Sequence, residues 1–198
     1  MGRFDMSKAR KGYETDPWPF IKARDFTKVT DKRMIRLIVI HVMEAKESRR
    51  TAEDVGRYFQ HPDKPSSTHV GVDCDSVVQY VRDNDVAYGA AGANHDGIHV
   101  ELAGYSNQTH AQWLDAFGLE LLENGSDVVA QYCLKYLISP RQLTNVQLLS
   151  GETGIVGHDQ VSKVYRQSDH MDPGPNFPWT YFMTKVNEKL KDRQRQIA

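Results

Sequence analysis

Apolar and polar positions are grouped in short blocks along the 198 residues. Leu37, Ile38, Val39 and Ile40 lie between Arg36 and His41, a β-branched run that predicts a buried central strand. Glu47 to Arg50 breaks the run. Thr51 then reads as a helix N-cap with Asp54 in the first turn, and Val55, Tyr58 and Phe59 follow at helical spacing. After a Pro- and Ser-containing loop, strands are expected near 69–74 and 77–81, joined by the tight turn Asp73-Cys-Asp-Ser. Ile98–Leu102 predicts another strand. Thr109 is expected to cap one long helix in which Trp113, Leu114, Phe117, Leu121 and Leu122 recur at the three-four spacing. Gly125 marks a point of interruption, after which Val129, Tyr132, Cys133 and Tyr136 carry the pattern to Pro140. A short helix near Leu148 and a terminal helix over 180–193 follow.

Strands alternating with helices predict a single α/β domain with one central mixed sheet. Residues 1–17 read as an N-terminal arm and 18–198 as the domain, with Trp18 and Phe20 expected to lay their rings onto it. Asn84–Gly97 is a Gly- and Ala-rich loop longer than most intradomain connections, a kind that tends to be functional or mobile.

Composition narrows the function classes. The formal net charge is −1, with 25 basic and 26 acidic residues, which argues against a nucleic-acid binder held by charge. The longest apolar stretch, Leu37–Met43, is interrupted by His41 and is too short to cross a bilayer, so no membrane partner is expected. Cys74 and Cys133 are too few for a disulfide scaffold and lack CxxC spacing, which sets aside cysteine-based zinc binding. No apolar run follows the basic residues of the N-terminus, so no secretory signal is read there.

The chemistry rests on position. His41 ends an apolar strand, where its ring either caps the strand or faces a cleft at the sheet end. His158 follows Gly154-Ile-Val-Gly at a helix start, and fourteen residues later Asp172 opens Asp172-Pro-Gly-Pro. Asp172 is a turn residue, an N-cap, or the third member of a His, His, Asp set that could hold zinc. Glu101 shares a strand face with His99, opposite Ile98, Val100 and Leu102. It is a salt-bridge partner on that reading, or a general base beside a metal. His170 lies two residues before Asp172. His69 reads as structural, and His61, His95 and His110 as surface residues.

Taken in order, Ile38-Val-Ile-His41, Ser67-Thr-His69-Val, Gly97-Ile-His-Val-Glu101-Leu-Ala-Gly104 and Gly157-His158 with Asp172-Pro-Gly-Pro-Asn-Phe-Pro-Trp179 resemble the zinc-dependent N-acetylmuramoyl-L-alanine amidases. These include phage-lysozyme-like and peptidoglycan-recognition-protein-like domains, and the wording is most similar to endolysin modules of actinobacteriophages. The resemblance covers roughly Trp18 to Trp179 and implies a mixed sheet flanked by helices with a zinc cleft at one end. It implies His41, His158 and Asp172 as ligands of one Zn2+ and Glu101 as the acid that activates the attacking water. Two positions depart from the pattern. His170 stands where relatives often carry a lysine, and Thr68 where some carry a tyrosine. Lysine is charged across neutral pH whereas histidine titrates there, so His170 is expected to take over oxyanion stabilisation.

The expected function is hydrolysis of the lactyl amide between N-acetylmuramic acid and L-alanine in peptidoglycan, by a monomer acting as a phage endolysin. It would accumulate in the host cytoplasm until holin-type release. The alternatives are a muropeptide-binding module of the same fold, a cytoplasmic amidase recycling wall fragments, and a regulatory protein partner.

Overall fold

The structure, a computed structural model, describes residues 17–197. The arm expected over 1–17 therefore lies outside the described residues except for Pro17. Five strands form the central sheet. They are β2 (Leu37–Val42), β3 (Val70–Val72), β4 (Val77–Gln79), β6 (Gly97–Leu102) and β7 (Gly154–Gly157), in the order β4-β3-β6-β2-β7. Only β4 runs antiparallel to its neighbour, so the sheet is mixed as the alternation of elements predicts. A second, two-stranded sheet pairs β1 (Phe26–Thr27) with β5 (Val86–Ala87). It ties the chain before the core strand to the 84–97 loop.

Strand alternation divides the sheet into two unlike faces. Ile38, Ile40, Val42, Val70, Val72, Ile98, Val100 and Leu102 form one apolar face. It is covered by α3 (Ala116–Tyr136) and α6 (Trp179–Ile197) through Leu121, Leu122, Val129, Tyr132, Phe182 and Val186. Each such side chain contributes roughly 1.5–3 kcal/mol when fully buried, so this layer dominates the stability. The opposite face begins apolar at Leu37, Val39 and Val156, packed by Leu148 of α4 (Asn145–Leu149) and Val161 of α5 (His158–Tyr165). Further along the same strands it turns polar at His41, His99 and Glu101, all buried.

The long helix expected from Thr109 is two. Thr109 caps α2 (His110–Trp113) in a full capping box, and Asp115 starts α3 by accepting from the Gly118 amide. Both residues are strong N-caps, so the three-four spacing of apolar residues continues across a real break. Gly125 does not interrupt α3. A side chain there would run into Leu102, so the glycine lets the helix lie close on the sheet.

Thr51 is the first residue of α1 (Thr51–Tyr58) and not its cap, since its hydroxyl donates to the Lys46 and Ser48 carbonyls. Asp73 supplies the cap from a distance. Its Oδ2 accepts the Ala52 amide at 3.0 Å, while its Oδ1 accepts the Ser76 amide at 2.8 Å and closes the β3–β4 hairpin. Trp18 packs against the core and meets Tyr132 at 5.8 Å, whereas Phe20 stays at the surface under the Arg82 guanidinium. The terminal helix runs to Ile197, past the expected 193, and Glu123–Lys189 and Asp127–Arg193 ion pairs hold its outer half to α3.

Asp73→Ala removes a helix cap and a turn in one step. The expected loss is about 1–3 kcal/mol in urea unfolding, with α1 amides exchanging faster than those of α3. Unchanged exchange in α1 would mean that Asp73 does not cap it.

Candidate active site

The strand register builds the site. His41 lies opposite Glu101, Glu101 opposite Gly71, and Ile40 opposite Gly157, which places His158 beside His41 at the head of α5. All four strands are parallel here, so His41, Glu101 and His158 collect at their carboxyl ends, where open α/β sheets characteristically bind ligands. Gly71 leaves its share of that rung to the Tyr80 ring, whose hydroxyl donates to the Ala52 carbonyl at 2.5 Å.

Asp172 arrives from the loop between α5 and α6 and sits between the two histidines. Its Oδ2 is 3.2 Å from His41 Nδ1 and its Oδ1 is 3.2 Å from His158 Nδ1. One ligand atom from each of the three residues lies within 4.8 Å of the others. A tetrahedral zinc with bonds near 2.0–2.1 Å has ligand atoms about 3.3 Å apart, so the donor set fits a metal of that size. Two further conditions of ligation hold. Burial keeps His158 below the ordinary imidazole pKa, against a smaller opposing pull from Asp172, so the ring is neutral near pH 7. Burial alone would raise Asp172, but hydrogen bonds from His158 and His41 outweigh it and hold the carboxyl well below the usual carboxylate range.

Glu101 behaves in the opposite way. Burial first, then the negative charges of Asp172 and Glu44, push its carboxyl well above its ordinary value. Its Oε2 is buried and has no hydrogen-bond partner among the described residues, which form no cross-strand salt bridge with it. Thr68 likewise presents a buried, unpaired hydroxyl. His170 lies over the ligand group with its ring stacked on His158 at 4.1 Å and 59% of its side chain exposed.

His41, Glu101, His158, His170 and Asp172 all line one cavity of about 770 Å³. Tyr88 and Gly89 bring the 84–97 loop to it. The part of the lining from residues 43–46, Ser48 and the Asp54, Val55 and Tyr58 face of α1 was not legible in the sequence. The other group of metal-type side chains among the described residues, Asp73-Cys74-Asp75, differs because Asp73 is already engaged by backbone amides.

Behind the site lies a buried polar layer that the sequence reading did not single out. Arg33 is almost fully buried and donates to the carbonyls of Asp83, Asn94 and Gly97 at 2.9, 2.7 and 3.1 Å, fixing both ends of the 84–97 loop. Its only sequence signal is a cation at the entrance to an apolar strand. His69 is fully buried, outside the cavity lining, and structural as expected. Its Nδ1 accepts the His99 amide at 3.0 Å, so its proton is on Nε2, which donates to the Asp85 carbonyl at 3.2 Å.

The fold and the cleft define an α/β domain with a His-His-Asp group that could hold a metal ion at the carboxyl ends of parallel strands. The N-acetylmuramoyl-L-alanine amidase family model matches residues 31–175, and the chain belongs to that family. No curated protein sequence matches the chain. Among solved structures it is similar to the Staphylococcus aureus hydrolase AmiA in complex with its ligand, with TM-score 0.66 and 18% identity over 99% of this chain and 96% of that one. It is also similar to AmpD, with TM-score 0.60 and 16% identity over 89% and 98% of the two chains. A third likeness is to the endolysin amidase LysCS from Clostridium intestinale, with TM-score 0.57 and 15% identity over 89% and 99%. At these identities the structural likenesses speak to the fold.

Burial pushes His69 down to about 3, far below its value in an unfolded chain. Between about pH 6.5 and 3 the unfolded state therefore binds a proton that the folded state refuses, so stability is complete above 6.5 and declines as pH falls. In metal-free protein, His69→Gln should reduce the loss of unfolding free energy between pH 7 and 5 by about 2 kcal/mol. An unchanged pH slope would show that the folded protein protonates the ring.

Proposed function

We propose that the protein is a zinc-dependent amidase that hydrolyses the bond between N-acetylmuramic acid and L-alanine in peptidoglycan. The observation that carries the reading is the convergence of two imidazoles, one carboxyl held ionised and one carboxyl of raised pKa on a single large groove. His41, His158 and Asp172 would hold one Zn2+ per chain. Bound there, the ion would supply Lewis acidity, lowering the pKa of water towards about 7 and polarising the amide carbonyl.

The protein's own groups supply the proton transfers and the positioning. Glu101 Oε2 takes a proton from the attacking water, and the neutral carboxyl so formed gives it to the leaving amine of L-alanine. The raised pKa strengthens Glu101 as the base of the first half. His170 stands over the ligand group and would donate towards the negative charge developing on the carbonyl oxygen. The walls from residues 43–46, Ser48, α1 and Tyr88 would hold the glycan and peptide arms on either side. As a phage endolysin, the monomer would accumulate in the host cytoplasm until a membrane lesion admits it to the wall.

The test is a digest of purified cross-linked peptidoglycan followed by mass spectrometry, with and without chelator. Free L-alanine amino termini on intact glycan strands, lost with chelator and restored by zinc, are expected. Zinc bound at one per chain without new amino termini would leave a muropeptide-binding module, and new reducing ends would indicate a glycosidase. Glu101→Gln should keep its zinc and lose about 10²–10⁴-fold in turnover. Loss of zinc in that variant would make Glu101 a ligand. His170→Gln should lose about 10²-fold in kcat with little change in KM, and an unaltered kcat would remove His170 from the oxyanion site.

A further inference from the structure

We propose that His99 is a positioning residue that holds His41 in the one tautomer able to ligate a metal through Nδ1. The proposal rests on the reading of His41, His158 and Asp172 as a metal centre. His41 has two ring nitrogens with different neighbours. Nδ1 faces Asp172, and Nε2 lies 3.0 Å from Nδ1 of His99 in a fully buried contact. In the metal-free site the Nδ1 proton is donated to Asp172; a metal taking the Nδ1 lone pair would displace that bond and leave the ring's proton at Nε2. That N–H must then donate to His99, and His99 Nδ1 must be the acceptor.

The assignment has a cost at the far side of the His99 ring. If His99 accepts at Nδ1, its own proton sits on Nε2, and that atom is buried with no hydrogen-bond partner. A buried donor without a partner is unfavourable, and an apolar side chain could fill the same space without one. What an apolar side chain could not provide is the acceptor for His41. The ring is also prevented from turning. It stacks on His69 at 5.5 Å with an interplanar angle of 11°. On another side it abuts Gly89, where an added Cβ would come within 2.8 Å of the ring. His69 has both of its nitrogens engaged elsewhere and does not compete for His99 Nδ1.

The two histidine ligands are thereby unequal. Among the described residues His158 Nε2 is buried with no partner, whereas His41 is met at its distal nitrogen by His99. Ligating histidines usually donate that proton to a carboxylate or carbonyl. An uncharged imidazole in that place fixes direction and tautomer without adding a negative charge behind the site.

The experiment measures zinc affinity of the metal-free full chain by competition with a chromophoric chelator. His99→Leu should bind zinc about 10- to 100-fold more weakly than the wild type. His99→Asn, whose Oδ1 can stand near the position of Nδ1 and accept, should recover most of that loss. Equal affinity in a folded His99→Leu protein would overturn the proposal, as would equal weakening in both variants, which would indicate ring packing alone. A wild type that binds no zinc would instead overturn the metal-centre reading. Should the variants fail to fold, long-range proton–nitrogen NMR of the zinc-loaded wild type decides. Protons on Nε2 of both His41 and His99 are expected, and a proton on Nδ1 of His99 would contradict the assignment.

Discussion

The cleft depends on keeping one buried carboxylate ionised. Asp172 is only 7% exposed, and an isolated carboxylate at that depth would take up a proton rather than stay charged. It remains charged because two imidazoles point their Nδ1 atoms at its two oxygens. The sheet puts those imidazoles there. The β2–β7 register sets His158 beside His41, and the loop before α6 delivers Asp172 between them. A slip of one residue in β2 would send His41 into the apolar layer under α3, so sheet register and site assembly are the same constraint.

The same neighbourhood drives a second carboxyl the other way. Glu101 is buried, has no hydrogen-bond partner on its inner oxygen among the described residues and feels the charge of Asp172, so its pKa is raised. Two carboxyl groups with opposite shifts thus share one cleft, one holding its charge and the other favouring its neutral form. This division comes from placement alone. Asp172 lies where histidine nitrogens converge, and Glu101 lies one strand away, with Gly71 on its other side.

The parts of the fold legible in the sequence are those with a local cause. Leu37–Ile40 is apolar throughout because the strand is buried on both faces, and Thr109 caps its helix with a side chain beside it. The parts that were not legible depend on distant residues. Thr51 looks like a cap because the true one, Asp73, lies in another hairpin. The break at Asp115 is hidden by apolar spacing that continues through it. The β1–β5 pair is too short to show a period. At the site, His41, His158, Asp172 and Glu101 are readable as an ordered set of motifs. Arg33 and His99 are not, because their importance comes from being buried against the backs of other residues.

The most direct test of the account is X-ray absorption at the zinc edge of the loaded protein. The account predicts four nitrogen and oxygen neighbours near 2.0–2.1 Å, two of them imidazoles, with no sulfur. A sulfur neighbour at about 2.3 Å would place the metal at Asp73-Cys74-Asp75 and contradict the assignment of His41, His158 and Asp172.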